Sequence, residues 1–213
     1  INFKIVSAGL KLTEFKDPVK VTSRLIKLSE PNKKKQTIFV WPEGTFNKNF
    51  SDIKTNKKIK RLFSENFSKN HLIILGTNTL KKIDEKSKYF NSMLIVNNNL
   101  DIVAQYDKKK LVPFGEFLPF ETFLNKIGMK KITPGYSSFS RGTGKSYLKL
   151  KYNDQYIKLL PLICYEIIFP HLVVNNIDNI NFIINISEDA WFGDSIGPYQ
   201  HFSKAILRSI ESR

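Results

Sequence analysis

Leu159-Leu160-Pro161-Leu162-Ile163-Cys164-Tyr165-Glu166-Ile167-Ile168-Phe169-Pro170 decides how this chain is read. An apolar run stops at a thiol, two polar side chains follow, and a second apolar run begins. The pattern predicts a buried strand that ends at Cys164 and turns into a helix. In open α/β folds ligands bind beyond the carboxyl ends of the strands, so a side chain at this corner faces the binding end of a sheet. Backbone N–H groups and a helix N-terminus aimed there favour a thiolate and any oxyanion formed beside it. The competing reading is a small buried hydrophobe, the usual fate of a lone cysteine.

The chain has 213 residues, enough for one large domain or two small ones, and it is read as a single domain over 1–213. With 41% hydrophobic residues and 17 Phe it can bury a sizeable core. One cysteine excludes an internal disulfide framework, so the fold stands on packing. The formal charge is +15, from 34 Lys and Arg against 19 Asp and Glu. Such a surface suits nucleic acid or anionic lipid. The lysines, however, are spread among Asn and Ile, and no RNA-recognition, helix-turn-helix or zinc-finger pattern occurs, so no nucleic-acid partner is expected.

His71, His171 and His201 lie far apart and read as structural or exposed; no metal and no cofactor is expected. The most apolar stretch, Leu159 to Val174, is broken by Cys164, Glu166, Pro170 and His171 and is too short to span a membrane. The chain opens at Ile1 without a signal-peptide pattern, and its last helix stops in mid-pattern, which reads as an excised piece.

Strands are expected over Phe3–Leu10, Thr37–Val40, His71–Gly76, Ser146–Lys151, Tyr156–Ile163 and Asn181–Ile186. Tyr89–Val96 and Leu100–Tyr106, split by three asparagines, read as a hairpin. Helices are expected over Asp17–Ser29, Thr55–Ser68 and Pro198–Arg213, and a Ser/Gly-rich surface loop over Ile132–Gly144. This alternation indicates a layered α/β domain. Three strand ends then carry reactive groups: Glu43 in Trp41-Pro42-Glu43-Gly44, one lysine among Lys108, Lys109 and Lys110, and Cys164. A base, an oxyanion stabiliser and a nucleophile are what acyl transfer through a thioester needs.

That order resembles the nitrilase (carbon–nitrogen hydrolase) superfamily. The longer motifs are Val40-Trp41-Pro42-Glu43, Tyr106-Asp107-Lys108 through Leu111-Val112-Pro113-Phe114-Gly115-Glu116, Ile163-Cys164-Tyr165-Glu166, and Asp189-Ala190-Trp191-Phe192-Gly193-Asp194-Ser195-Ile196-Gly197-Pro198 with Gln200-His201. They are similar to its apolipoprotein N-acyltransferase branch. The resemblance implies a nitrilase-like four-layer α-β-β-α sandwich, incomplete at the C-terminus, with last strands and transmembrane helices lying outside this sequence. An apolar edge where those strands belong is an expected aggregation liability.

The resemblance also implies a bacterial inner-membrane enzyme with its catalytic domain on the periplasmic side. Its partners would be a phospholipid acyl donor and a diacylglyceryl-modified apolipoprotein acceptor. It assigns Glu43 as base, Lys108 as the catalytic lysine and Cys164 as nucleophile, with Glu116, Tyr165 and Glu166 in support. The Tyr165 N–H is an expected oxyanion donor. The first strand lacks the Gln and Asn usual in the branch. Two alternatives remain open: a soluble nitrilase-type amidase, and an inactive basic fragment that binds lipid or nucleic acid.

Overall fold

A computed structural model describes residues 1–7, 9, 17–119, 138–152, 155–175 and 180–212. The expectations for Gly9 to Leu10 and for Ile132 to Tyr136 fall wholly or partly outside them. The first sheet runs β1 (Phe3–Ile5), β2 (Thr37–Val40), β4 (His71–Ile83), β5 (Lys86–Val96), β6 (Ile102–Asp107), with β3 (Phe46–Asn49) pairing beside β4. β1, β2 and β4 are parallel, and β4, β5 and β6 continue antiparallel. The second sheet runs β7 (Leu148–Tyr152), β8 (Gln155–Ile163), β9 (Phe182–Ile186), antiparallel and then parallel.

Strand alternation sorts the side chains into layers. Phe39, Ile73, Leu75, Leu94 and Val96 face a cluster with the helices α1 (Pro18–Ser29), α2 (Phe50–Thr55) and α3 (Lys57–Asn66). Their neighbours Ile38, Val40, Ile74, Met93 and Ile95 face the opposite way, into a second cluster. There they meet Leu148, Leu150, Ile157, Leu159 and Ile163 of the other sheet. Leu160 and Leu162 turn outward again, onto Val173 of α4 (Pro170–Val174) and Ala205 of α5 (Gly197–Glu211). The result is helix, sheet, sheet, helix: the expected α-β-β-α sandwich.

Several boundaries differ from the sequence reading. The helix expected over Thr55–Ser68 is two helices. Asn56 sits between them in an extended conformation, its side chain accepting from Lys58 N and Ile59 N, so it caps α3 and breaks the run. β4 continues seven residues past Gly76, because β5 pairs with it as far as Ile83↔Lys86. This arm is rich in lysine and lacks apolar alternation. Its turn uses Asp84 and Glu85 at φ 51° and 60° in place of glycine. The element after Cys164 is a short 3-10 turn, Cys164–Ile168, rather than the expected α-helix.

Beyond β9, which pairs only with β8 among the described strands, an apolar groove of about 390 Å³ runs past Phe182, Ile184 and Ala205.

Packing delivers the strand end that carries Glu43. Trp41 is fully buried, its Nε1–H donates to Ser29 Oγ at 2.9 Å, and its ring meets Phe63 edge-on at 5.6 Å. Trp41 N–H donates to Ile74 O at 2.8 Å and Gly76 N–H to Pro42 O at 3.1 Å, which pins the turn to β4. A Cβ at Gly76 would lie 2.6 Å from Glu43 Cα, so only glycine lets the two backbones approach this closely.

Two outcomes follow from this packing. Phe63→Ala leaves a void beneath Trp41 and lowers stability by about 3–5 kcal/mol in denaturant unfolding. Gly76→Ala displaces the Glu43 backbone and lowers the thermal midpoint, by less than Phe63→Ala does.

Candidate active site

The turn after β2 presents Glu43, 9% exposed, to the end of the first sheet. Its Oε1 accepts from Asn91 Nδ2 at 2.8 Å and from Lys108 Nζ at 3.4 Å; its Oε2 accepts from Glu188 N at 3.2 Å. Lys108 directly follows β6, its N–H donating to Asn91 O at 2.9 Å. Its side chain is 1% exposed, and Nζ reaches Glu116 Oε1 at 3.0 Å. Glu116 closes the unit. Its Oε1 accepts from Asn91 Nδ2 at 2.7 Å, and its Oε2 accepts from Val112 N at 2.8 Å, which folds the loop after Lys108 back on itself.

A lysine this deeply buried keeps its proton only if anions compensate the lost hydration. Burial works against the ammonium, but Glu43 and Glu116, with a contribution from Cys164, outweigh it and hold Lys108 above its ordinary range.

Cys164 opens the 3-10 turn at the end of β8 with φ 49°. That left-handed conformation is sparsely populated by residues with a side chain and recurs at functional sites. Burial pushes the thiol up to about 12, and Glu43 adds to the rise; Lys108 and a hydrogen bond with Ser187 act against it. This corrects the expectation of a favoured thiolate. Cys164 rests as a neutral thiol because two carboxylates face one ammonium in a desolvated pocket, and a 3-10 turn of five residues supplies little helix dipole.

Glu166 is fully buried and organises the corner. Its carboxylate accepts from Tyr106 Oη at 2.9 and 3.0 Å, Lys109 N at 2.7 Å, Lys110 N at 3.0 Å and Ile163 N at 2.9 Å. Burial raises the carboxyl, and the backbone donors of Lys110, Ile163 and Lys109 oppose that rise. The same carboxylate, after burial, raises Tyr106. Tyr165 is half-buried and its ring packs edge-on against Phe169 at 5.0 Å.

The structure thus brings Glu43, Lys108, Glu116 and Cys164 together, with Glu166 and Tyr165 beside them. The lysines that follow Lys108 are elsewhere. Lys109 Nζ donates to Ser146 Oγ at 2.9 Å, and Lys110 Nζ sits 5.6 Å from the Phe169 ring centroid. Of the three lysines, Lys108 is the one buried against Glu43 and Glu116.

Other groups were not singled out from the sequence. Asn91 bridges both carboxylates; its signal was an amide inside an apolar strand. Glu188 places its N–H on Glu43, and burial pushes its own carboxyl up to about 7. His201, read as structural or exposed, is 9% exposed and sits 3.0 Å from the Cys164 carbonyl oxygen.

A cavity of about 420 Å³ borders the site through Pro42 and Glu188, although Cys164 does not line it. Among the described residues no group of three or more His, Cys, Asp or Glu is placed to hold a metal ion. No helix among them is long and apolar enough to cross a membrane.

Comparison with known proteins places this geometry in context. The chain is similar to the apolipoprotein N-acyltransferase of Allorhizobium ampelinum, 36% identical over 179 residues, which is 82% of this chain and 32% of that protein. It is also similar to that of Rickettsia prowazekii, 35% identical over 187 residues, 88% of this chain and 36% of that protein. The chain therefore spans about a third of the length of the curated relatives it matches.

Its fold resembles the C. elegans NitFhit protein, with TM-score 0.61 and 16% identity over 99% of this chain and 48% of that one. It also resembles the glutamine-dependent NAD+ synthetase of Acinetobacter baumannii, with TM-score 0.55 and 18% identity over 89% and 32%. A model of the family described as carbon-nitrogen hydrolase matches residues 25–213, and this chain belongs to that family.

Proposed function

We propose that this chain carries out N-acyl transfer through a Cys164 thioester, as the catalytic part of an apolipoprotein N-acyltransferase. The carrying observation is the buried Lys108, held between Glu43 and Glu116 and coupled to the Cys164 thiol. The name of the relatives supplies the reaction class.

In this reading the sulfur attacks the carbonyl carbon of a phospholipid acyl ester while Glu43 takes the thiol proton. Transfer in step with attack suits a thiol that does not ionise alone. One proton moves from sulfur to carboxylate, so the net charge of the buried cluster is unchanged until the oxyanion forms. The Lys108 ammonium and the Tyr165 N–H stabilise that oxyanion. Collapse breaks the carbon–oxygen bond, and the Glu43 proton leaves with the lysophospholipid alcohol.

The α-amine of a diacylglyceryl-modified N-terminal cysteine then attacks the thioester. Glu43 accepts the amine proton, and the sulfur leaves as the thiol, regenerating the enzyme. The product is an amide on the lipoprotein. The intact enzyme would work at the bacterial inner membrane, with this part on the periplasmic side.

Exposed apolar side chains near the site support a lipid over a small amide. Trp191 and Phe192, exposed in the short turn that Asp189 opens, and Ile196, 68% exposed, are such side chains. Phe114 projects from the loop after Lys108.

Two measurements test the proposal. The full chain incubated with phosphatidylethanolamine gains one long acyl group on Cys164 by intact mass, and Cys164→Ala gains none. A small adduct only, or acylation that survives Cys164→Ala, overturns it. Iodoacetamide alkylation of Cys164 is slower at pH 7.5 than for a free thiol of pKa about 8.5, and it still rises beyond pH 10. Glu43→Gln removes a carboxylate that raises the thiol. It therefore speeds alkylation while slowing acyl transfer by about 10²-fold or more; acyl transfer that survives Glu43→Gln unchanged would remove Glu43 as the base.

A further inference from the structure

His201 is a buried titratable side chain that the acyl-transfer steps leave unused. It lies early in α5, and its ring is wedged between two acceptors. Nε2 is 3.0 Å from the Cys164 carbonyl oxygen, and Nδ1 is 3.0 Å from Asp189 Oδ1. The Ser187 hydroxyl donates to the same Asp189 oxygen at 2.6 Å and stands 3.5 Å from Nδ1. A neutral imidazole has one N–H and one lone pair. With either tautomer, one lone pair is pressed against an acceptor oxygen. Only the doubly protonated ring donates to both.

We propose that His201, seated between Asp189 and the Cys164 carbonyl, positions the nucleophile and polarises the peptide that carries the Tyr165 N–H. This rests on the Cys164 thioester reading and assigns a further residue to that site.

Two physical consequences carry it. Cys164 sits at φ 49°, and a conformation this sparsely populated persists only when other contacts hold it. The His201 hydrogen bond is such a contact, delivered from a separate helix to the carbonyl of the strained residue. A ring N–H donated to that carbonyl also draws electron density from the following amide nitrogen, so its N–H becomes a stronger donor. That N–H is the one proposed to meet the oxyanion.

The charged surroundings fit. Asp189, a third exposed, is the direct counter-ion. Glu188 and, through its backbone N–H, Glu43 lie on the same side; Cys164 and the buried Glu166 belong to the corner. The Phe192 ring stands 6.2 Å from the imidazole. On α5 itself Lys204 is exposed and Arg208 pairs with Glu211.

The test uses the full chain with the cysteine carbonyl labelled with 13C, a single signal because the chain has one cysteine. Loss of the ring hydrogen bond in His201→Phe moves that signal upfield, and an unchanged signal overturns the proposal.

Acylation of Cys164 by a p-nitrophenyl ester, followed as a nitrophenol burst, reads the consequence. His201→Gln lowers the saturating rate by about tenfold with KM within twofold. This is a weakening, set against the ~10²–10³-fold loss when an oxyanion donor is removed outright. An unchanged saturating rate overturns the positioning role. If no ester acylates the unmodified chain, the thioester reading fails, and the carbonyl signal still decides the hydrogen bond. If the His201 variants do not fold, the carbonyl signal of Asp189→Asn, which frees the other side of the ring, decides it.

Discussion

The carboxylate of Glu166 is the point at which the two sheets are joined at their reactive end. It takes the Tyr106 hydroxyl from β6, the backbone N–H groups of Lys109 and Lys110 from the loop beyond, and the N–H of Ile163 from the last residue of β8. Lys108 is thereby flanked by a fixed hydroxyl on one side and fixed amides on the other. Cys164 is flanked by Ile163 and by Glu166 itself. A buried carboxylate that lost these donors would carry an uncompensated desolvation cost, so the arrangement is effectively all or none. The lysine and the thiol belong to different sheets, and this one group sets their spacing.

Around that joint the charges are arranged against the ready ionisation of cysteine. Two carboxylates, one ammonium and a thiol share a dry pocket, and the thiol stays protonated. Such a site does not hold a free nucleophile for any passing electrophile. In the proposed reaction the sulfur becomes reactive as its proton leaves for a carboxylate already in place. Asn91 donates to both Glu43 and Glu116, which keeps the two anions close without direct repulsion between bare oxygens. The strained backbone at Cys164 and the tight approach of Gly76 to Glu43 show that the strand ends are held by the fold rather than by local preference.

The +15 charge is a property of the surface more than of the site. Its one fully buried cation among the described residues is Lys108, and many other lysines are solvated, as along the β4–β5 arm. Apolar exposure is concentrated instead near the reactive end and on α5, where Trp191, Ile196, Tyr199 and Phe202 face outward.

The sequence by itself determined the layered α/β class and the strand ends at Val40 and Ile163, and placed the end before Lys108 one residue early, at Tyr106 instead of Asp107. It also marked Glu43, Lys108, Glu116, Tyr165, Glu166 and Cys164 for attention. These were legible because apolar runs that stop at Pro, Lys or Cys leave a local trace, and because motif spacing travels along the chain. The length of β4 and its hairpin with β5 were not legible. A solvated lysine arm needs no apolar alternation, and its turn uses no glycine. The break at Asn56 was hidden by a continuous helical stripe.

Only the tertiary structure decided that Cys164 rests as a thiol, that Asn91 bridges two carboxylates, and that His201 reaches the nucleophile's carbonyl. Each of these depends on desolvation or on a contact between residues dozens of positions apart. Neither has a signature in local composition, because burial and charge proximity exist only once the sheets have packed.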